Sequence, residues 1–595
     1  MKDFFKFAFA SCLGVFLAGI FFTLVFGVGL GSMVKGMNKT ESIKSNSVLK
    51  LSLADMIPEK TNNVANQEFS LENKKVLGVH EIVDAIEYAK DDKNIKGILL
   101  DLSMVQAGAV TRSELRDALM EFKTSEKFVY AYSKNYMQGA YHLASVADKV
   151  YVNPLGSLEF KGYAANIMFY KKMLDKLGVE MQVYYAGDFK GASEPYRLEK
   201  LSSNNKTQIR EYINGLWDEM LDDVSESRDL SKAELKKIAD ELLVRSPEDA
   251  VKYGLADQVA YFDEVISEMK SSVGLEDEDK LNVASLGAYA AKASSKVDLK
   301  IKDRIAVVYA EGTILPGPTD PGSIGDDKYT KIIRKLRKDD RVKAIVLRVN
   351  SGGGSALASE NIWRELLLAK EQGIPVIASM GDLAASGGYY ISCHADTIVA
   401  ESSTITGSIG VFSMIPNTKD MFEQKLGITV DTVFTGPMAN GVFGNLMEPH
   451  NAKQASIMTQ QTENMYDIFL TRVAEGRGME KSAVHEVAQG RVWTGTKAKE
   501  LGLVDVIGDL DKAIEIAGNA AGLEKYRVKD YPFIKDQFEQ MMDKLTGQDN
   551  SDNAVEMVIK NDDQLKQFYP VYETLKEIEE MQGMQMRMPF DLQVY

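Results

Sequence analysis

The sequence predicts an α/β protein made of two copies of one strand-helix-strand unit, placed behind an N-terminal segment able to cross a membrane. Three observations carry this: motifs recurring at a spacing near 248 residues, apolar runs alternating with helical stretches, and 28 uncharged residues at positions 7–34.

The N-terminal run contains Phe-Leu-Ala-Gly-Ile-Phe-Phe-Thr-Leu-Val-Phe at 16–26. It exceeds the about 20 apolar residues that a bilayer requires. A cleaved signal peptide has an apolar region of only about 7–15 residues and ends at small residues. No Ala-x-Ala follows this run, so the expectation is an uncleaved single-pass anchor. Lys2 and Lys6 precede it and Lys35, Lys39 and Lys44 follow, so the positive-inside rule does not fix its orientation. The simpler topology leaves a short cytoplasmic tail and exports the body. The expected divisions are an anchor and linker at 1–46, a first half at 47–300, a second half at 301–525 and a tail at 526–595.

The repeat sets the order of elements in each half. Asp91-Asp92-Lys93 before Gly97-Ile98-Leu99-Leu100 matches Asp339-Asp340-Arg341 before Ala344-Ile345-Val346-Leu347. The likeness continues from 128–131 to 375–378, from Ala147-Asp148-Lys149-Val150 to Ala395-Asp396-Thr397-Ile398, and from Lys176-Leu177-Gly178-Val179 to Lys425-Leu426-Gly427-Ile428. Ile345-Val346-Leu347 is a buried-strand pattern, and Ile362, Leu366 and Ala369 fall on one helix face. Val376-Ile377-Ala378 then returns as a strand. Strand-helix alternation implies right-handed crossovers and a largely parallel sheet. Residues 206–272 are expected to be helical, 271–301 a joint, and the polar stretch at 547–553 mobile.

Composition narrows the chemistry. The 70 basic and 86 acidic residues leave a net charge of −16, which disfavours a nucleic-acid partner. Cys12 and Cys393 are the only cysteines and there are five histidines. That excludes a disulfide framework and argues against a metal centre, and no cofactor is expected.

Two glycine-rich turns could hold an active site. Asn350-Ser351-Gly352-Gly353-Gly354-Ser355 lies between a strand and a helix, where backbone N–H groups can approach an anion. A plain tight turn is the alternative. Gly381-Asp382-Leu383-Ala384-Ala385-Ser386-Gly387-Gly388-Tyr389-Tyr390 could present the Ser386 hydroxyl with a neighbouring N–H facing the developing charge, although a serine there could also simply cap a helix. Ala384 breaks the G-x-S-x-G elbow, and His394 lies two helical turns beyond Ser386. A buried lysine could serve as base instead, and Lys190, among Gly187, Phe189, Gly191 and Ala192, is the candidate. By the repeat, Ser386 corresponds to Gln138 and Lys190 to Ala439. Each half therefore carries a group that the other lacks.

These motifs, together with Thr406-Gly407-Ser408-Ile409-Gly410-Val411 and Phe189-Lys190-Gly191-Ala192-Ser193-Glu194-Pro195, resemble the signal peptide peptidase A family of Ser-Lys membrane peptidases in its long, duplicated form. The resemblance implies tandem crotonase-like (ClpP/crotonase) domains. It implies Ser386 as nucleophile, Lys190 as general base, Ser408 as the hydroxyl that positions the lysine, and Gly353 and Gly387 as oxyanion donors. It also implies cleaved signal peptides and other apolar peptides as substrates, a homo-oligomer with a tetramer favoured, and a bacterial inner-membrane location with the body in the periplasm. Gly352 stands where the family usually has proline, which leaves open which amide faces the oxyanion. An acyl-CoA enzyme on the same fold and an inactive membrane scaffold are the competing expectations.

Overall fold

Two sheets repeat one order of parallel strands. In the first half the order is Gln258–Val259, Lys149–Leu158, Phe128–Tyr136, Ile95–Asp101, Ser47–Leu51 and Asn282–Ser285. In the second, an eight-stranded sheet, the matching order is Val506–Ile507, Thr397–Ala400, Val376–Ala385, Val342–Ser351, Arg304–Glu311 and Arg527–Tyr531, with Ile405–Gly407 also beside Val376–Ala385 and Val492–Thr494 antiparallel to Ile405–Gly407. The structure is a computed structural model that describes residues 43–64, 75–293, 300–442, 446–534 and 583–588. The apolar run at 7–34, Cys12 and the polar stretch at 547–553 lie outside the described residues. Among the described residues no helix is long and apolar enough to cross a membrane.

The duplication reaches individual side chains. Asp148 and Asp396 accept the N–H groups of Val129 and Val376, near the start of the equivalent strands. Asp257 and Asp505 accept those of Val150 and Ile398, and pair with Arg228 and Arg477. Both arginines end 26-residue helices, Ser203–Arg228 and Ala452–Arg477. Apolar runs such as Ile345-Val346-Leu347 are buried because helices cover both faces of a parallel sheet. Ile362, Leu366 and Ala369 are buried on the helix Ala356–Glu371.

Two stretches depart from the expectation. Within 271–301, Asn282–Ser285 is the edge strand of the first sheet, and the helix Leu286–Ala293 packs Tyr289 and Ala290 into the core. Its small residues suit close packing as well as a joint. Residues beyond 526 supply Arg527–Tyr531 to the second sheet and the strand Met584–Arg587 to a third.

That third, mixed sheet joins the halves. Its order is Ser323–Gly325, Thr313–Leu315, Gly353–Ser355, Met584–Arg587, Val411–Asn417 and Glu180–Ala186. The last strand belongs to the first half and runs antiparallel to Val411–Asn417, with Ala186 opposite Val411. A buried ionic cluster makes a second junction. Arg348, 0% exposed, bonds Glu59 at 2.8 Å and Glu114 at 2.8 Å, both from the first half.

Candidate active site

Ser386 occupies the bend between the strand Val376–Ala385 and the short helix Gly387–Ser392, with φ 57° and ψ −115°. An L-residue there is strained, and such strain concentrates at functional positions. Its N–H donates to the Gly407 carbonyl at 2.8 Å, and its carbonyl accepts from Tyr390 N–H at 2.8 Å. Gly388 is required beside it, because a Cβ there would lie 2.6 Å from the Ser351 carbonyl oxygen.

Lys190 arrives from the other half. Pairing of Ala186 with Val411 carries the chain four residues onward to Lys190, against Ser408, three residues before Val411. Lys190 Nζ lies 2.7 Å from Ser386 Oγ, and donates to Ser408 Oγ at 2.9 Å and to the Ser408 carbonyl at 3.0 Å. All three residues are buried. The structure thus brings Ser386, Lys190 and Ser408 together within one chain. Burial alone pushes the Lys190 ammonium well below the ordinary lysine value, since leaving water penalises the charged form.

None of the five histidines bonds Ser386. His394 packs edge-on against Trp363 at 5.2 Å, and His142, His450 and His485 bond Asp223, Tyr184 and Tyr466. His80 lies 3.8 Å from Asp84.

The glycine turn folds against the serine bend. Asn350 Oδ1 accepts Leu383 N–H at 3.0 Å, and Ser351 Oγ donates to the Gly312 carbonyl at 2.6 Å. Gly353 has φ 98°, and a Cβ on it would lie 2.6 Å from Gly387 N. The two glycines sequence reasoning named are therefore adjacent. Gly353 N–H, however, donates to Ser351 Oγ at 3.1 Å, whereas Gly387 N–H opens a helix and has no partner within it. The strand Met584–Arg587 pairs along this turn, and Met588 N–H donates to the Gly352 carbonyl at 2.6 Å. Gly353→Ala would also place a methyl 2.0 Å from the Met586 carbonyl oxygen. Strain of about 1–3 kcal/mol is expected on melting, with a loss in kcat of about 10²–10³ if an oxyanion donor shifts.

Sequence reasoning missed two polar residues here. Ser351 was read only as part of a turn. Gln208, 1% exposed on the helix Ser203–Arg228, had no distinguishing pattern among that helix's many polar residues.

Comparison with known proteins places the chain in a family. The model of peptidase family S49 matches twice, at residues 121–276 and 368–524. The chain is 36% identical to Protease 4 of Salmonella typhi, over 89% of this chain and 87% of that protein. It is 34% identical to Protease 4 of Haemophilus influenzae, over 82% of each. It is 30% identical to the chloroplastic serine protease SPPA of Arabidopsis thaliana, over 81% of this chain and 70% of that protein. With the family's domain present twice and relatives aligned along most of its length, the chain belongs to peptidase family S49 and is a serine peptidase.

Proposed function

We propose that the chain is a membrane-anchored endopeptidase in which Ser386 is the nucleophile and Lys190 the general base, acting on cleaved signal peptides and other apolar peptides. The observation that carries this reading is the buried contact of 2.7 Å between Lys190 Nζ and Ser386 Oγ. A neutral amine has two N–H groups and one lone pair. Ser408 offers two acceptors, its hydroxyl and its carbonyl, which use both N–H groups and leave the lone pair directed at Ser386.

Lys190 then takes the Ser386 proton as Oγ attacks the peptide carbonyl carbon. The tetrahedral oxyanion is stabilised by Gly387 N–H, joined by Gly353 N–H once it turns from Ser351. Lys190 gives its proton to the leaving amine as the C–N bond breaks. It next takes a proton from water, whose oxygen attacks the acyl carbon, and returns that proton to Ser386 Oγ. The apolar run at 7–34 supports anchoring in a membrane, the inner membrane in this reading, where cleaved signal peptides are left; the N-terminus is then cytoplasmic and the body periplasmic. A homotetramer is part of this reading.

Labelling with a fluorophosphonate tests it. The probe is expected to modify Ser386, with a rate that rises with pH as Lys190 loses its proton and levels off well below the ordinary lysine pKa. Equal labelling of Lys190→Ala at every pH would remove lysine from the mechanism.

A further inference from the structure

Gln208 has the geometry of a residue that aligns the base with the nucleophile. Its Oε1 accepts Val492 N–H at 3.1 Å, and its Nε2 donates to the Phe189 carbonyl at 3.1 Å and to Asn205 Oδ1. Both N–H groups and the oxygen are in use, so the amide is fixed in one orientation. Phe189 immediately precedes Lys190. Val492 pairs with Gly407, and its neighbour Arg491 accepts Ser408 N–H at 2.7 Å. One side chain of the first half thus ties the lysine backbone to the second-half strand that pairs with the Ser408 segment.

The surroundings leave little slack. Phe189 N–H donates to the Gln489 carbonyl at 2.9 Å, and a Cβ on Gly490 would lie 2.7 Å from Lys190 N. The titratable groups around the loop are Arg491, which lies over the Phe189 ring at 5.0 Å and pairs with Glu211 at 2.7 Å, Tyr466, whose hydroxyl accepts Gln489 N–H at 3.2 Å, and Asp188 beside Phe189; among the described residues no carboxylate bonds Nζ.

We propose that Gln208 is a positioning residue for the reaction, holding Lys190 in register with Ser386 and Ser408 across the junction of the halves. This rests on Lys190 being the general base. Displacement of a catalytic group by about 1 Å costs about 10²-fold, so a tie one residue from the lysine acts directly on the rate.

The test compares Gln208→Met, similar in length but without hydrogen bonds, and Gln208→Glu, which keeps the acceptor for Val492 but has no N–H for Phe189. In both, kcat at pH 7 is expected to fall about tenfold to a hundredfold with KM little changed. In Gln208→Met, which adds no charge, the acid limb of the kcat/KM profile should move to higher pH as water reaches the loosened lysine. Equal loss at every pH, in step with the folded fraction from a thermal melt, would mean a purely structural role and overturn the proposal, as would unchanged kinetics. If Gln208→Met does not fold, Gln208→Leu, likewise uncharged and without hydrogen bonds, carries the same comparison. A Lys190→Ala control separates the failures. Retained activity there removes the base and this proposal together, whereas an inactive control beside an unshifted Gln208 profile removes this proposal alone.

Discussion

Ser386→Ala is expected to lower kcat for an apolar peptide by about 10⁶-fold, the scale on which an acyl-transfer site loses its nucleophile. Lys190→Ala is expected to cost about 10²–10⁴-fold or more, the range of a general base. The double variant should be no worse than Ser386→Ala, because residues acting as one unit are not additive. Steady-state kinetics on the three purified variants, with folding checked by circular dichroism, decides this. A double variant whose losses multiply would mean two independent contributions. Lys190 also leaves a trace in stability. Its folded pKa lies below the unfolded value near 10.5, so the unfolded chain binds the extra proton. Stability from this group therefore rises with pH between the two values, and Lys190→Met should flatten that rise.

Arg348→Met is expected to destabilise the fold by about 3–5 kcal/mol, because it leaves Glu59 and Glu114 buried without their cation. Chemical denaturation followed by fluorescence measures the loss. Adding Glu59→Gln and Glu114→Gln should recover much of it, since an uncharged cluster avoids desolvating ions. Burial, against the pull of Arg348, pushes Glu114 up to about 8 and raises Glu59. A carboxyl whose folded pKa is raised contributes stability that is full below its unfolded value of 4.5 and is lost as pH climbs toward about 8. The deficit of Arg348→Met should accordingly shrink at acid pH. A deficit independent of pH would show that the two carboxylates do not feel the missing guanidinium. The expected cost also reflects where the cluster sits. Arg348 lies on the strand that leads into Asn350 and Ser351, and Asp382, on the strand that leads to Ser386, caps the helix Ala109–Lys123 of the other half through Val110 N–H at 2.8 Å.

Local pattern made much of the architecture readable. The alternation of apolar runs and helical stretches, and the constant spacing between copies, follow from the two periodicities of strand and helix. The bend at Ser386 and the turn at Gly353 were visible because few residues tolerate such backbone. Arg348 was a missed signal, a charge inside the apolar run at 344–349, where only a buried partner would allow it. The small-residue stretch at 271–301 reads as a joint because alanine and glycine serve close packing and loose linkers alike.

By itself, then, the sequence determined the duplication, the α/β class, the split of serine and lysine between two copies, and the family resemblance those motifs carry. Only the tertiary structure decided that the two groups meet within one chain, that Lys190 is dry, that Gly353 N–H is turned to Ser351, and that Gln208 and the strand at 584–587 reach the site. The physical reason is the range of the interactions. Periodicity and turn chemistry act over a few residues, whereas Lys190 and Ser386 are 196 residues apart and a pKa set by burial depends on neighbours that only the closed fold supplies.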